Sequence, residues 1–251
     1  MARRLSSRFL SGLVRRAWLA ACLTASLTAV GAAAAATIVD AQYAGPTTRY
    51  AHGVLGDAVE WGTLELVVED WASTTTLRII LPEDRVFEDV APRLADVDGD
   101  GKPEVVVVET QVNTGAQLAI YDETGKIAST PHIGRPNRWL SPVGVADLDG
   151  DGFVELAYID RPHLAKTLRI WRYRNGALEH VADQLGLTNH RIGERDIGGG
   201  VRSCDGVVEM ITASADWSRI DATRFKEGRL TVRDLGPHQG RASLNAAVAC
   251  P

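Results

Sequence analysis

D-V-D-G-D-G-K-P-E, from Asp96 to Glu104, returns 51 residues later as D-L-D-G-D-G-F-V-E, from Asp147 to Glu155. Both stretches place carboxylates at loop positions 1, 3, 5 and 9, and a glycine at position 6, where the backbone must turn sharply. Together with a backbone carbonyl at position 7, these groups are the hard oxygen ligands that Ca²⁺ prefers. The sequence therefore predicts two metal-binding loops inside a repeated architecture.

Two further copies of the loop lack most of these ligands. Positions 1, 6 and 9 are kept as Asp57, Gly62 and Glu65 in the first copy, and as Asp196, Gly206 and Glu209 in the fourth. Val59 and Trp61 replace the inner carboxylates of the first copy, and a five-residue insertion interrupts the fourth. We expect the first copy to keep the turn, and neither copy to hold a metal ion.

Each position-9 glutamate begins a short β-rich run, and a second run follows the first. The first runs are 65–69, 104–109, 155–159 and 209–212, and the second include 76–79, 117–120 and 167–170. Turn signals such as Asn175-Gly176 then lead into further strand candidates. The pattern predicts an all-β fold.

Four antiparallel strands repeated four times favour a β-propeller of about four four-stranded blades. The predicted blades are 45–90, 91–134, 135–186 and 187–235, followed by a tail at 236–251. A twisted β-sandwich is the alternative. It requires no register between equivalent loops, whereas radial blades place such loops on one rim.

At these residues the chain resembles the FG-GAP/VCBS repeat family, which includes the repeats of the integrin α-subunit propeller and of many exported bacterial proteins. The resemblance covers most of the chain after residue 36. The two intact loops fit the family's calcium loop, whereas the copies at Asp57 and Asp196 depart from it. The resemblance therefore implies calcium at two repeats, and a propeller that is either a small four-bladed ring or one completed by association.

The predicted calcium ligands come from the two intact loops. Their side-chain ligands are Asp96, Asp98, Asp100 and Glu104, and Asp147, Asp149, Asp151 and Glu155, with backbone carbonyls from Lys102 and Phe153. An acidic, solvated turn without metal is the alternative. An EF-hand would need a bidentate glutamate at position 12, where Val107 and Tyr158 stand instead. Because the oxygen shell is saturated, we interpret the ions as structural rather than catalytic.

A functional site is expected on the rim opposite the acidic loops, where charged and aromatic side chains recur. Arginines precede the loops at Arg49, Arg93, Arg138 and Arg191, and acids close the strands that follow them at Asp70, Glu109, Asp160 and Asp216. His52, His163, His190, Trp71 and Trp217 would surround a pocket for a small molecule or glycan. Salt bridges around an axial opening are the alternative.

The N-terminal segment predicts a cleaved secretory signal at 1–36. It carries five arginines and no acid, then small and apolar residues from Ala17 to Ala36, with cleavage expected near its end. A transmembrane segment is the alternative for this run. Arg15-Arg16 leaves twin-arginine export open, and too few apolar residues precede Cys22 for a lipid anchor. We expect a mature protein that is periplasmic or extracellular.

Charge and cysteine usage narrow the possible partners and the compartment. Removing five of the 27 basic residues leaves 22 against 32 acidic ones, a formal net charge of −10 that disfavours nucleic acid. No later run is long and apolar enough for a transmembrane anchor. Cys204 and Cys250 predict a disulfide in an exported chain, and two buried free thiols are the alternative.

No recognised catalytic motif is present in the sequence. The first hypothesis is an exported, calcium-stabilised propeller that binds a protein or glycan partner without turning it over. The second is an enzyme, a hydrolase or lyase acting at the axial mouth opposite the calcium loops. The third is a structural subunit of an envelope assembly.

Overall fold

Seventeen β-strands and one short helix build residues 36–250, the part of the chain that the computed structural model describes. The predicted signal sequence, apart from Ala36, lies outside the described residues. The elements are β1 (Thr37–Thr47), β2 (Glu60–Glu69), β3 (Thr74–Ile80), β4 (Arg85–Phe87), β5 (Arg93–Ala95), β6 (Glu104–Gln111), β7 (Gly115–Asp122), β8 (Gly125–Ser129), β9 (Leu140–Ala146), β10 (Glu155–Asp160), β11 (Thr167–Arg174), β12 (Ala177–Leu185), β13 (Leu187–Thr188), β14 (Gly200–Cys204), β15 (Val207–Ser214), β16 (Arg219–Lys226), β17 (Arg229–Pro237) and α1 (Arg241–Val248). The all-β prediction is confirmed.

The strands form three antiparallel sheets in the described part of the chain. The first has the order β1-β2-β4-β6-β7-β8, with β3 also beside β2 and β5 also beside β6. The second has the order β12-β11-β10-β9, and the third has β13-β15-β16-β17 with β14 also beside β15. The predicted repeats correspond to unit 1 (β1–β3), unit 2 (β5–β8), unit 3 (β9–β12) and unit 4 (β14–β17). Units 1 and 2 are not separate sheets, because β4 joins them into one.

Strand β6 lies between two hydrophobic cores, which explains its run of four valines. Val105 and Val107 pack with Leu64 of unit 1, whereas Val106 and Val108 pack with residues of unit 3. Successive side chains of a strand point to opposite faces, so a strand buried on both faces reads as a continuous apolar run. Unit 2 is thus packed between units 1 and 3.

Strand β10 repeats this arrangement one unit later. Leu156 faces the core shared with unit 2, and Ile159 faces a core that includes Met210 and Phe225 of unit 4. The outer face of unit 4 packs against helix α1, whose Leu244 is buried there. Successive units therefore share hydrophobic cores, and helix α1 covers the outer face of unit 4.

The C-terminus is fixed by a covalent bond as well as by this helix. Cys204, at the end of β14, is bonded to Cys250 with an S–S distance of 1.97 Å. The predicted disulfide is confirmed. No helix among residues 36–250 combines the length and the apolar character needed to cross a membrane.

The first copy of the acidic loop does not form the expected turn. Gly62 lies inside strand β2, which begins at Glu60, five residues before Glu65. In the intact loops, position 4 is Gly99 or Gly150, each with φ near +80°. Glu60 occupies this position in the first copy, and a side chain strongly disfavours that conformation, so the chain extends into a strand instead.

Candidate functional site

The two intact loops share one hydrogen-bonding pattern. The position-1 carboxylate of Asp96 accepts the N–H groups of Gly99 and Gly101 at 2.7 and 3.0 Å, and Asp147 accepts those of its two glycines at the same distances. The position-9 glutamates also act alike, since each accepts the N–H of the loop's second residue at 2.8 Å. Both sequences thus fold into the same compact turn, with carboxylates facing one another.

Three carboxylates converge in each loop. Their oxygens lie within 4.8 Å of one another, and the clusters are Asp96, Asp98 and Glu104, and Asp147, Asp149 and Glu155. The position-5 carboxylates, Asp100 and Asp151, are not part of these clusters, and accept the N–H groups of Lys102 and Phe153 instead. Each cluster therefore offers three of the four predicted side-chain ligands.

Burial and like charge disfavour ionisation at the centre of the first loop. Burial raises the pKa of Glu104, and the neighbouring Asp98 and Asp100 raise it further, although the Val97 N–H opposes them. A cation between these carboxylates would favour their ionised form. The charge arrangement therefore suits a bound divalent ion.

The second loop differs because an arginine of β11 enters its cluster. Guanidinium nitrogens of Arg172 lie 2.5 Å from Glu155, 3.1 Å from Asp149 and 2.7 Å from Asp151. Even so, Oδ1 of Asp149 is buried and has no hydrogen-bond partner among residues 36–250. A buried carboxylate oxygen without a partner is costly, and a cation in the loop would satisfy it.

Arginine neutralises the position-9 glutamate in three of the four units. Glu65 pairs with Arg78 at 2.8 Å, Glu155 with Arg172, and Glu209 with Arg202 at 2.5 Å. Among the ion pairs of the described residues, Glu104 has no basic partner. The first intact loop is therefore the one whose negative charge the protein leaves uncompensated.

A pocket of about 280 Å³ lies at the other end of these strands. It is lined by His52, Asn137, Arg138, Trp139, Arg161, His163, Leu164 and Ile192. Strand β10 runs from the acidic loop at Glu155 to the turn that carries Arg161 and His163, about 20 Å away at strand rise. Of the predicted rim residues, the structure brings His52, Arg138 and His163 together in this pocket.

His52 is held by a buried carboxylate. Its Nδ1 lies 2.5 Å from Oε1 of Glu88, whose other oxygen accepts the Thr110 hydroxyl at 2.7 Å. Burial raises the pKa of Glu88, whereas His52 and Thr110 lower it. The backbone carbonyl of Glu88 also accepts the indole N–H of Trp139 at 2.8 Å. Glu88 thus links His52 to the wall of the pocket.

His163 and His190 form a second polar chain beside the pocket. Nε2 of His163 lies 3.0 Å from Nδ1 of His190, and Nε2 of His190 lies 2.9 Å from the carbonyl oxygen of Glu194. Burial lowers the pKa of His163 to about 4, with His190 contributing, and burial also lowers the pKa of His190. The His163 imidazole is therefore neutral near pH 7, and burial disfavours the charged form of His190.

The predicted rings of arginines and acids do not pair with each other in the described residues. Arg93 binds Asp89 at 2.6 Å, and Arg49 donates to the carbonyl of Arg85 at 2.7 Å. Glu109 is held by Arg85, Lys126 and Tyr121, while Asp160 is held by Arg161 at 2.8 Å and Arg169 at 3.0 Å. Glu109 and Asp160 are thus paired with residues of neighbouring strands and turns, not with the predicted arginines.

The remaining rim residues lie apart from the pocket lining. Asp70 and Trp71 occupy the exposed β2–β3 turn, where Trp71 is 78% exposed. Arg191 stacks over the Trp217 ring at 4.1 Å, and Asp216 caps its own turn by accepting the Ser214 hydroxyl at 2.7 Å. These residues are distributed over several turns rather than one site.

Sequence reasoning missed five residues of the lining, and Glu88 behind it: the five are Asn137, Trp139, Arg161, Leu164 and Ile192. Trp139 directly follows Arg138, and Arg161 directly follows Asp160. Because Arg138 and Asp160 were predicted rim residues, these neighbours could have been included in the prediction. Glu88 carried no such signal, because its pairing with His52 depends on how units 1 and 2 pack.

A wider groove of about 1280 Å³ lies on unit 4, beside the disulfide. Its Glu209 is bound by both Arg202 and Arg233. The smaller pocket is the better candidate site, because three of the predicted rim residues line it together with apolar side chains.

Comparison with known proteins identifies the repeat. Residues 96–158 match the family described as FG-GAP-like repeat, a segment that contains both acidic loops. The chain therefore contains an FG-GAP-like repeat, and the resemblance predicted from the sequence is confirmed over these residues. No curated protein is significantly similar to the chain.

Two solved structures are similar to this chain at 15% sequence identity. One is the exotype rhamnogalacturonan lyase YesX, with a TM-score of 0.40, covering 68% of this chain and 40% of the lyase. The other is the rhamnogalacturonan lyase PL11 of Bacillus licheniformis, with a TM-score of 0.41, covering 72% of this chain and 44% of the lyase. This chain thus spans less than half the length of either lyase.

Proposed function

We propose that this chain is an exported, calcium-stabilised β-repeat module that binds a protein or glycan partner at the pocket around His52, Arg138 and His163. The observation that carries the proposal is the pocket itself. Basic, imidazole and aromatic side chains from separate loops converge there, at the end of the strands opposite the acidic loops. That mixture of polar and apolar groups is typical of small-ligand and glycan sites.

Calcium would be held by the two acidic loops. The ligands proposed for the first loop are Asp96, Asp98, Asp100 and Glu104 with the carbonyl of Lys102, and for the second Asp147, Asp149, Asp151 and Glu155 with the carbonyl of Phe153. The converging carboxylates and the unpartnered Oδ1 of Asp149 support this assignment. A bound ion would stabilise the turn that joins the first two strands of each unit.

The four units are proposed to be blades of a propeller-like assembly. The hydrophobic core that each successive pair of units shares supports this interpretation. Helix α1 covers the outer face of unit 4, so we propose an arc of four blades rather than a ring closed by contact between units 4 and 1.

Export is proposed from the N-terminal sequence and is supported by the disulfide. Bonds such as Cys204–Cys250 persist in the periplasm and outside the cell, where thiols are not kept reduced. Calcium at millimolar levels is found in the same surroundings, and suits modules whose Kd is on the order of 10⁻⁴ to 10⁻³ M.

A second candidate function is an enzyme, a hydrolase or lyase, acting in the same pocket. The observation that favours it is the contact between His52 and the buried Glu88, because a histidine oriented by a carboxylate is a common general base. Activity profiling of the mature protein, with His52→Gln as the control, distinguishes the enzyme from the binding module. Turnover that the variant loses supports the enzyme, and ligand binding without turnover supports the module.

The binding proposal is tested by a glycan array and a pull-down from the envelope fraction. We expect a retained partner that Arg138→Ala releases and Arg135→Ala keeps, since Arg135 is exposed nearby but does not line the pocket. If neither assay yields a partner sensitive to Arg138→Ala, the proposal is wrong.

A further inference from the structure

Arg138 is the uncompensated cation of the pocket. Arg161, the other arginine in the lining, is bound by Asp160 at 2.8 and 2.9 Å. Arg138 donates to the carbonyl oxygen of Asn137 at 2.8 Å, and it has no carboxylate within 4.0 Å among the described residues. Among the described residues, no acidic one lines the pocket, and Arg138 is its one guanidinium without a carboxylate partner.

The acids behind the pocket wall are bound by residues other than Arg138. Asp160 is shared by Arg161 and Arg169, and Arg169 is also bound by Asp183 at 2.9 Å. Two acids thus balance two arginines in this network. Glu88 is engaged by His52 and Thr110, so it is not a partner of Arg138 either.

His163, which lines the same pocket, has one ring nitrogen without a protein partner among the described residues. The carbonyl of Glu194 only accepts, so Nε2 of His190 must carry the proton, and its Nδ1 accepts from Nε2 of His163. Because neutral imidazole carries one proton, Nδ1 of His163 is left with a free lone pair. No protein donor is paired with that nitrogen among the described residues.

The rest of the wall, which also includes His52 and Asn137, has three apolar side chains that limit the size of the ligand. Trp139 lies parallel to the His163 ring at 6.2 Å, while Leu164 and Ile192 are 65% and 72% exposed at the edge. The volume of about 280 Å³ is at the lower end of the range for small-molecule sites. One ring-sized unit fits such a space.

We infer that the pocket binds a hydroxylated organic anion, with the oxyanion at Arg138 and a hydroxyl donating to Nδ1 of His163. This inference rests on the proposed function, since it names the ligand class of the same pocket. A guanidinium matches a carboxylate or a phosphate, and a lone pair on imidazole requires a donor on the ligand. A free acid and an acidic unit at the end of a glycan present the same groups.

The test is calorimetric titration of the full mature protein with three probes: D-glucuronate, glucose 6-phosphate and glucose. We expect one or both anions to bind and glucose to bind much more weakly. Arg138→Gln should weaken anion binding about tenfold or more, because it removes a charge-assisted hydrogen bond. Arg135→Gln is the matched control, and should leave binding unchanged. The Nδ1 nitrogen resonance of His163 should shift when the anion binds.

Three results would overturn this inference. The first is glucose binding as tightly as the anions, and the second is anion binding that Arg138→Gln leaves intact. The third is no binding of any of the probes. The proposed function is tested separately. It is wrong only if the glycan array and the pull-down also give no partner sensitive to Arg138→Ala.

Discussion

Arg172 lies directly opposite Glu155 on neighbouring antiparallel strands, and its guanidinium is 2.5 Å from the Glu155 carboxylate. The register of β6 and β7 pairs Val105 with Tyr121, so the residue opposite Glu104 is Asp122, an acid. Two loops of nearly identical sequence are therefore placed in opposite electrostatic surroundings. We expect them to bind calcium with different affinities, the first loop more tightly.

Replacing Arg172 should change the calcium affinity of the second loop alone. Arg172→Gln removes a positive charge within about 3 Å of three carboxylates, and so should tighten that loop about tenfold or more. Without calcium the variant should melt at a lower temperature than the wild type, because buried Glu155 loses its partner. Calcium titration followed by calorimetry and thermal melts measures both effects.

The matched control for this variant is Arg174→Gln. Arg174 lies two residues further along β11, is exposed, and stacks over the Phe153 ring at 4.9 Å. It makes no ion pair with the loop carboxylates in the described residues. Equal calcium affinity in the wild type and Arg172→Gln, or an equal change in Arg174→Gln, would contradict the prediction.

Glu60 should make the protein less stable as the pH rises. Burial and the nearby Glu88, Asp57 and Asp89 raise the pKa of Glu60 to about 9, against an ordinary value near 4.5. Between these two values the folded state holds a proton that the unfolded state has released, so the free energy of unfolding falls with pH. The slope is at most about 1.4 kcal/mol per pH unit, or roughly 3–6 °C in Tm.

Glu60→Gln should flatten this part of the pH profile. Glutamine keeps the shape of the protonated acid and does not titrate, so the melting temperature of the variant should fall less between pH 6 and 9. Thermal melts of both proteins across that range provide the comparison, with exposed Glu69→Gln as the control. Parallel profiles for wild type and Glu60→Gln would show that Glu60 titrates near its ordinary pKa.

Removing the disulfide should destabilise unit 4 and release helix α1. Cys204 and Cys250 close a segment with a sequence separation of 46 residues, and a bridge of this kind contributes about 2–4 kcal/mol. We expect the variant with both cysteines replaced by serine to melt several degrees lower, and amide exchange to increase first in 241–248. Wild-type amide protection of 241–248 in this variant would contradict the prediction, because it would show that the packing of Leu244 alone holds the helix in place.

Local sequence patterns were enough to predict the loops and central strands. The valine run of β6 and the D-x-D-G-D-G spacing depend on neighbours along the chain, and both appear in the structure as expected. The first loop copy shows the limit of such patterns. This copy was recognised from Asp57, Gly62 and Glu65 at positions 1, 6 and 9, and position 4 was not compared. Glu60 stands at position 4, in place of the glycine that the turn requires.

The candidate pocket was predictable only in part. His52, Arg138 and His163 could be named from their places before and after the strands, but not the partners that orient them. Glu88 and Trp139 are 51 residues apart and meet only because the units pack together. Helix α1 also gave little signal, since its eight residues bury only Leu244.

The most direct test of the account is calcium binding by the metal-stripped mature protein. We predict two bound ions of unequal affinity by elemental analysis and calorimetry, and a melting temperature that rises with calcium and falls on chelation. At ten times Kd, each site should add about 1.4 kcal/mol to the free energy of unfolding. Asp98→Asn should abolish the tighter site, and Asp149→Asn the weaker one. No bound calcium, together with a melting curve that chelation leaves unchanged, would contradict the account.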